Sequence, residues 1–140
     1  MIHRFTVLLL LAVATIVASA CGSDSATEPV VTSVVGTWAL TAVSGKPLPF
    51  VFSASDPKLE LISKQYVITA TGTFTTSFTL RGTELDGTVN TTTTSDAGTE
   101  TLANNTVTFV YKSDGSVVTA HVSPTTMTIA GNVTQVFTKQ

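Results

Sequence analysis

One cysteine, two histidines and nine carboxylates are all that this 140-residue chain offers for covalent or acid–base chemistry. The cysteine is Cys21, so no disulfide can form within the chain. It follows the small residues Ala18-Ser19-Ala20, which an extended segment can present to a peptidase cleft. An unpaired thiol exposed on an exported chain is a liability unless it is used, which points to covalent modification at sulfur. Of the histidines, His3 lies in the basic start and His121 in a strand pattern where Ala120 and Val122 turn inward, which leaves the imidazole facing solvent. No Gly-x-Ser-x-Gly turn accompanies it, so a Ser-His-Asp nucleophile is not expected. A zinc or copper site needs two or more His or Cys ligands, which the domain does not supply. Glu84 and Asp86 share one face near a turn, yet calcium takes six or more oxygens, and solvated turn residues explain the pair better. Nothing marks Asp56, Glu60, Asp96, Glu100 or Asp114 as a glycosidase pair, and no phosphate-cradling glycine loop is present. The reading is therefore non-enzymatic, with no metal and no cofactor.

Ahead of Cys21, Met1-Ile2-His3-Arg4 is followed by an uncharged apolar run from Phe5 to Ala20. At about sixteen residues it fits a signal-peptide core and is short for a membrane-spanning helix of roughly 20. The junction Val17-Ala18-Ser19-Ala20-Cys21-Gly22 resembles the lipobox of bacterial lipoproteins, with Ala18 where that family usually has Leu. The resemblance implies removal of residues 1–20, lipidation of Cys21 and attachment of the mature chain to a membrane outside the cytoplasm. It also implies an outer-membrane periplasmic face or the outer leaflet of a cell membrane. The alternatives are an ordinary secretory signal cleaved near Ala20, and a permanent helical anchor. Residues 21–33 read as the lipidated cysteine and a flexible tether, because Gly22 to Val31 is small, polar and acidic.

Residues 34–140 are enough for one small domain. Charged residues make up 11% of the chain, well below the usual quarter, and no basic patch exists, so nucleic acid is not an expected partner. The formal charge is −2, and it becomes about −3 without Arg4. Threonine fills about a fifth of the sequence. Thr is β-branched, favours strands and shows a hydroxyl to water, which suits an exported all-β protein. The sequons at Asn90, Asn104 and Asn132 are by-products of this abundance.

Period-two alternation runs from Val35 to the C-terminus. Trp38, Leu40 and Ala42 share a face, as do Leu59 and Leu61, and Tyr66, Ile68 and Ala70. Phe74, Thr76, Phe78 and Leu80 oppose Thr73, Thr75, Ser77 and Thr79 in the cleanest strand. A strand from Val89 to Thr94 is expected to end at Asp96-Ala97-Gly98, with a short one over Thr99–Leu102. Asn104-Asn105 and Ser113-Asp114-Gly115 read as hairpin turns. Val107, Phe109 and Tyr111 then share a face, followed by Val118, Ala120 and Val122, and by Met127 and Ile129. One helical turn is allowed for Ser55–Leu61. Sequential hairpins predict a small antiparallel up-and-down barrel of about eight strands, whose closure removes edges that this low-charge sheet cannot guard.

The stretch Val35-Gly36-Thr37-Trp38 through Gly45-Lys46-Pro47-Leu48-Pro49 looks like the opening of bacterial lipocalin-like domains, and Gly72-Thr73-Phe74, Asn105-Thr106-Val107-Thr108-Phe109 and Val136-Phe137-Thr138-Lys139 are similar to later parts. The resemblance implies that Trp38 packs at a closed barrel end with a late basic residue, here Lys139, across it. It also implies binding of a small apolar molecule or lipid. Candidate lining residues are Trp38, Leu40, Tyr66, Ile68, Phe74, Phe78, Phe109, Tyr111, Val118 and Met127. The same residues also read as a packed core, the reading the composition favours, because inward side chains look alike whether the centre is full or hollow. A rival reading is an envelope protein-interaction module resembling periplasmic protease inhibitors, with Thr32–Val34 and Ser44–Phe52 as contacts. A third is a structural surface lipoprotein without a specific ligand.

Overall fold

Alternating apolar and Thr-rich positions, interrupted by residues that accept left-handed backbone, produce ten strands: β1 (Gly36–Val43), β2 (Lys46–Pro47), β3 (Phe50–Ser53), β4 (Lys58–Ile68), β5 (Thr73–Thr83), β6 (Val89–Ala103), β7 (Thr106–Tyr111), β8 (Val117–Val122), β9 (Thr126–Ile129) and β10 (Gln135–Lys139). The computed structural model describes residues 27–140. The leader and Cys21 lie outside the described residues. Every pairing is antiparallel, and each strand from β4 to β10 pairs with the next. The first strand pairs with both β10 and β4, which closes an eight-strand up-and-down barrel. Strands β2 and β3 are short additions on β1 and β4. No helix occurs among the described residues, including Ser55–Leu61, where one turn was expected.

Turn chemistry sets the hairpins. Asn104 and Asn105 have φ of 49° and 58°, the two left-handed positions a two-residue hairpin turn demands. In the Ser113-Asp114-Gly115 turn, the Asp114 carboxylate accepts a hydrogen bond from Ser116 N at 2.8 Å, and Gly115 takes positive φ.

Three register features depart from the simple alternation. A bulge between Leu40 and Ala42 in β1 turns Val43, not Ala42, into the core. The segments 58–63 and 66–71 form one strand, β4, whose bulge between Leu61 and Ser63 reverses parity. Its inward set is therefore Leu61, Lys64, Tyr66 and Ile68, and Ala70 is exposed beyond the strand end. Asp96-Ala97-Gly98 is not a turn; β6 runs straight through it. A Cβ on Gly98 would sit 2.0 Å from the carbonyl oxygen of Val110 and 2.7 Å from Phe74 Cε1, so glycine is there to let strands and rings approach.

The barrel has two unlike ends. The turns 69–72, 104–105 and 123–125 lie at one end, and 44–57, 84–88, 112–116 and 130–134 at the other. The first end is packed solid. Trp38, Phe74, Val107, Phe109, Val122, Met127 and Phe137 are buried, and the rings of Tyr66, Phe74, Phe109 and Phe137 lie 4.8–5.8 Å apart in tilted, stacked and edge-on contacts. Residues 27–35 carry no regular structure, but part of that stretch is strapped across this closed end. Asn105 Oδ1 accepts from Val31 N at 2.7 Å, Asn105 Nδ2 donates to Pro29 O at 3.1 Å, and Glu28 lies 3.2 Å from His121 Nε2. His121 itself faces outward, as its alternation implies.

Candidate functional site

Above the aromatic layer the packing opens. Tyr66 and Tyr111 mark the boundary, their hydroxyls bonded at 2.5 Å. Burial raises the pKa of both phenols, most strongly for Tyr66, so the pair stays neutral near neutral pH. Beyond it lie two cavities facing the second end. One, of about 240 Å³, is lined by Phe52, Leu61, Lys64, Phe78, Leu80 and Gln135. The other, of about 290 Å³, is lined by Lys64, Thr76, Phe78, Thr94, Ser95, Asp96, Tyr111 and Ser113. They share Lys64 and Phe78 and together form the mouth of the barrel.

The mouth stays unfilled because the strands differ in length. β6 extends from Val89 to Asp96 past the last residue of β7, so over that stretch it pairs with β5 alone and the wall beside it is open. The inward residues there are small and polar, Thr94 and Asp96, and cannot fill the centre as Phe74 and Phe109 do below. Thr76 is bonded to the Gln65 carbonyl at 2.9 Å and is thereby fixed in the wall.

Lys64 is the unusual side chain. The β4 bulge turns it inward, where Nζ donates to Gln135 Oε1 at 2.9 Å and lies 5.5 Å from the Tyr66 ring centroid and 5.9 Å from that of Phe137. Burial lowers its pKa. Among the described residues no carboxylate lies within ion-pair distance of it. By contrast, Glu60 holds Lys58 at 2.9 Å and Arg81 through both Nε and Nη2, and these partners hold its carboxyl below the usual range. Asp96, on the far wall of the larger mouth cavity, accepts from Ser113 Oγ at 2.6 Å and from Ala97 N at 2.7 Å.

Of the ten residues expected to line a pocket, the fold places Trp38, Leu40, Tyr66, Ile68, Phe74, Phe109 and Met127 in the buried core. Val118 packs partly buried against that core. Phe78 and Tyr111 border the mouth cavities. Lys64, Thr94, Ser95, Asp96, Ser113 and Gln135 are lining residues that the pattern of apolar positions does not reveal; the change of parity between Leu61 and Tyr66 is the signal that carries Lys64. A groove of about 490 Å³ on the outer wall, around Gly98, is larger, but its outward lining is Thr73, Thr75, Ala97, Thr99, Val110 and the exposed Lys112. Of the two stretches weighed as protein contacts, Thr32–Val34 lies at the closed end and Ser44–Phe52 at the mouth, so they form no common surface. Among the described residues, no three His, Cys, Asp or Glu side chains cluster. Asp86 accepts from Thr88 N within its own turn, as Asp114 does from Ser116.

At the closed end, Trp38 is fully buried and its Nε1 donates to Val34 O at 2.8 Å. Lys139 Nζ lies 5.2 Å from its ring centroid, the arrangement that the sequence resemblance implies. The chain matches no protein-family model, no curated protein and no solved structure.

Proposed function

We propose that this protein is a lipid-anchored, non-enzymatic barrel of the lipocalin-like kind that binds a small, largely apolar molecule at the cell envelope. The observation that carries the binding role is the half-empty barrel: aromatic residues fill one end, and the other holds two adjoining cavities, the smaller walled by Phe52, Leu61, Phe78 and Leu80, the larger sharing Phe78 and Lys64 with it but otherwise mostly polar. Cavities with an apolar wall and a few placed polar groups are where small ligands bind, and the modest volume here suits a small one. The anchoring role rests on the Cys21 junction. Acyl chains hold a protein to a bilayer at about 0.8 kcal/mol for each buried methylene, and stable attachment takes more than one chain.

Mass spectrometry of the protein as cells export it tests both parts. The expected N-terminal peptide begins at Cys21 with the added mass of acyl chains, and Cys21→Ala abolishes that mass. Native spectra are expected to show a bound small molecule, lost on replacing Phe78 with Glu. A bare Cys21 thiol would overturn the anchor, and an empty barrel at saturating concentrations of apolar probes would overturn the binding role.

A further inference from the structure

The geometry points to a ligand class: we infer that the mouth selects an apolar monocarboxylate, its carboxylate on Lys64 and its apolar part along Phe52, Leu61, Phe78 and Leu80. This rests on the mouth being the binding site. Lys64 has no counter-ion among the described residues. Its ammonium has three donors, and Gln135 Oε1 takes one. The Tyr66 and Phe137 rings face it but accept no conventional hydrogen bond, and no described carboxylate is within reach. Withdrawing a cation from water without pairing it is costly, and a bulge in β4 is what holds it there. The other described cations are exposed, ion-paired on the outer sheet, or laid over Trp38.

A carboxylate has the two acceptor oxygens that the free donors of Lys64 call for, and charge-assisted hydrogen bonds of this kind are the strong ones. The remaining lining of the smaller cavity is apolar apart from Gln135, which suits a hydrocarbon. Across the larger cavity stands Asp96, the one carboxylate in either lining. It repels a second negative charge, so the mouth accepts a monoanion and discriminates against a dianion of the same length.

Amide-shift titration of the exported protein with hexanoate, hexan-1-ol and adipate tests this. Hexanoate is expected to bind about tenfold or more tighter than hexan-1-ol, the size of one hydrogen bond to a charged group. Shifts are expected to centre on Lys64, Phe78, Leu80 and Gln135, and adipate is expected to bind at least tenfold more weakly than hexanoate. Lys64→Met, which keeps the stem, is expected to erase the preference for the acid while leaving hexan-1-ol bound. Equal affinity for acid and alcohol in the unaltered protein would overturn the inference and leave the binding role standing. Equal affinity for adipate would overturn the part assigned to Asp96. Failure of all three probes to bind at the mouth would overturn the inference together with the reading it rests on.

Discussion

The ammonium of Lys139 lies 5.2 Å from the centre of the Trp38 ring, and the two residues are paired across β1 and β10. Gly36, two residues before Trp38, makes room for this. Its φ is +132°, and a Cβ there would stand 3.2 Å from Lys139 Cε. A cation over an indole at a part-exposed site contributes roughly 0.5–1 kcal/mol. Lys139→Met, which keeps the stem but not the charge, is therefore expected to lower unfolding stability in urea by about that amount. Lys139→Arg should retain it. Trp38→Ala, which empties a fully buried site, should cost about 3–5 kcal/mol.

Gly98 offers a sharper test of packing. Adding one methyl would drive it into the Val110 carbonyl and the Phe74 ring. Gly98→Ala is expected to destabilise the barrel by about 1–3 kcal/mol, the range for overpacking. The change in urea midpoint, with Gly82→Ala as a control where the nearest contact is 4.0 Å away, measures it.

Glu100 points inward beside Phe109, and its Oε2 is buried without a partner. Burial raises its pKa above the ordinary glutamate value. The unfolded chain therefore ionises this group first, and between the two pKa values the native state binds more protons. The contribution of Glu100 to stability is complete below the unfolded value and is lost as pH rises through the folded one. Glu100→Gln removes that dependence. Its urea midpoint is expected to exceed that of the unaltered protein at pH 7, and the gap is expected to close as pH falls to about 4.

Asn105 serves both a turn and the strap. Its φ of 58° suits glycine, so Asn105→Gly keeps the turn but removes the bonds to Val31 and Pro29. The expected result is faster hydrogen exchange at the Val31 amide, easier proteolysis before Val34, and a stability loss of about 1 kcal/mol. Unchanged exchange at Val31 would show that the strap is held by other contacts.

Strict alternation made much of this barrel legible. β5 shows Phe74, Thr76, Phe78 and Leu80 on one face of an unbroken strand, and the paired asparagines and the Asp114-Gly115 turn announce their hairpins through backbone chemistry that is local. Bulges were harder to read. The shift from Leu61 to Tyr66 looks like the end of one strand and the start of another, whereas an inserted residue carries the chain on with reversed parity. That single insertion is also what hides Lys64 as an interior residue. Gly98 reads as part of a turn because its contacts, Val110 and Phe74, are remote in sequence. Phe78 and Tyr111 were legible as inward residues, but whether the space before them is filled depends on how far β6 outruns β7, a relation between strands that no single segment contains.

The strap also sets a direction. Glu28 to Val34 leaves the barrel at the end sealed by Trp38, opposite Lys64 and Phe78. A chain held through its N-terminal side is therefore held from the sealed floor of the barrel, with the opening at the far end.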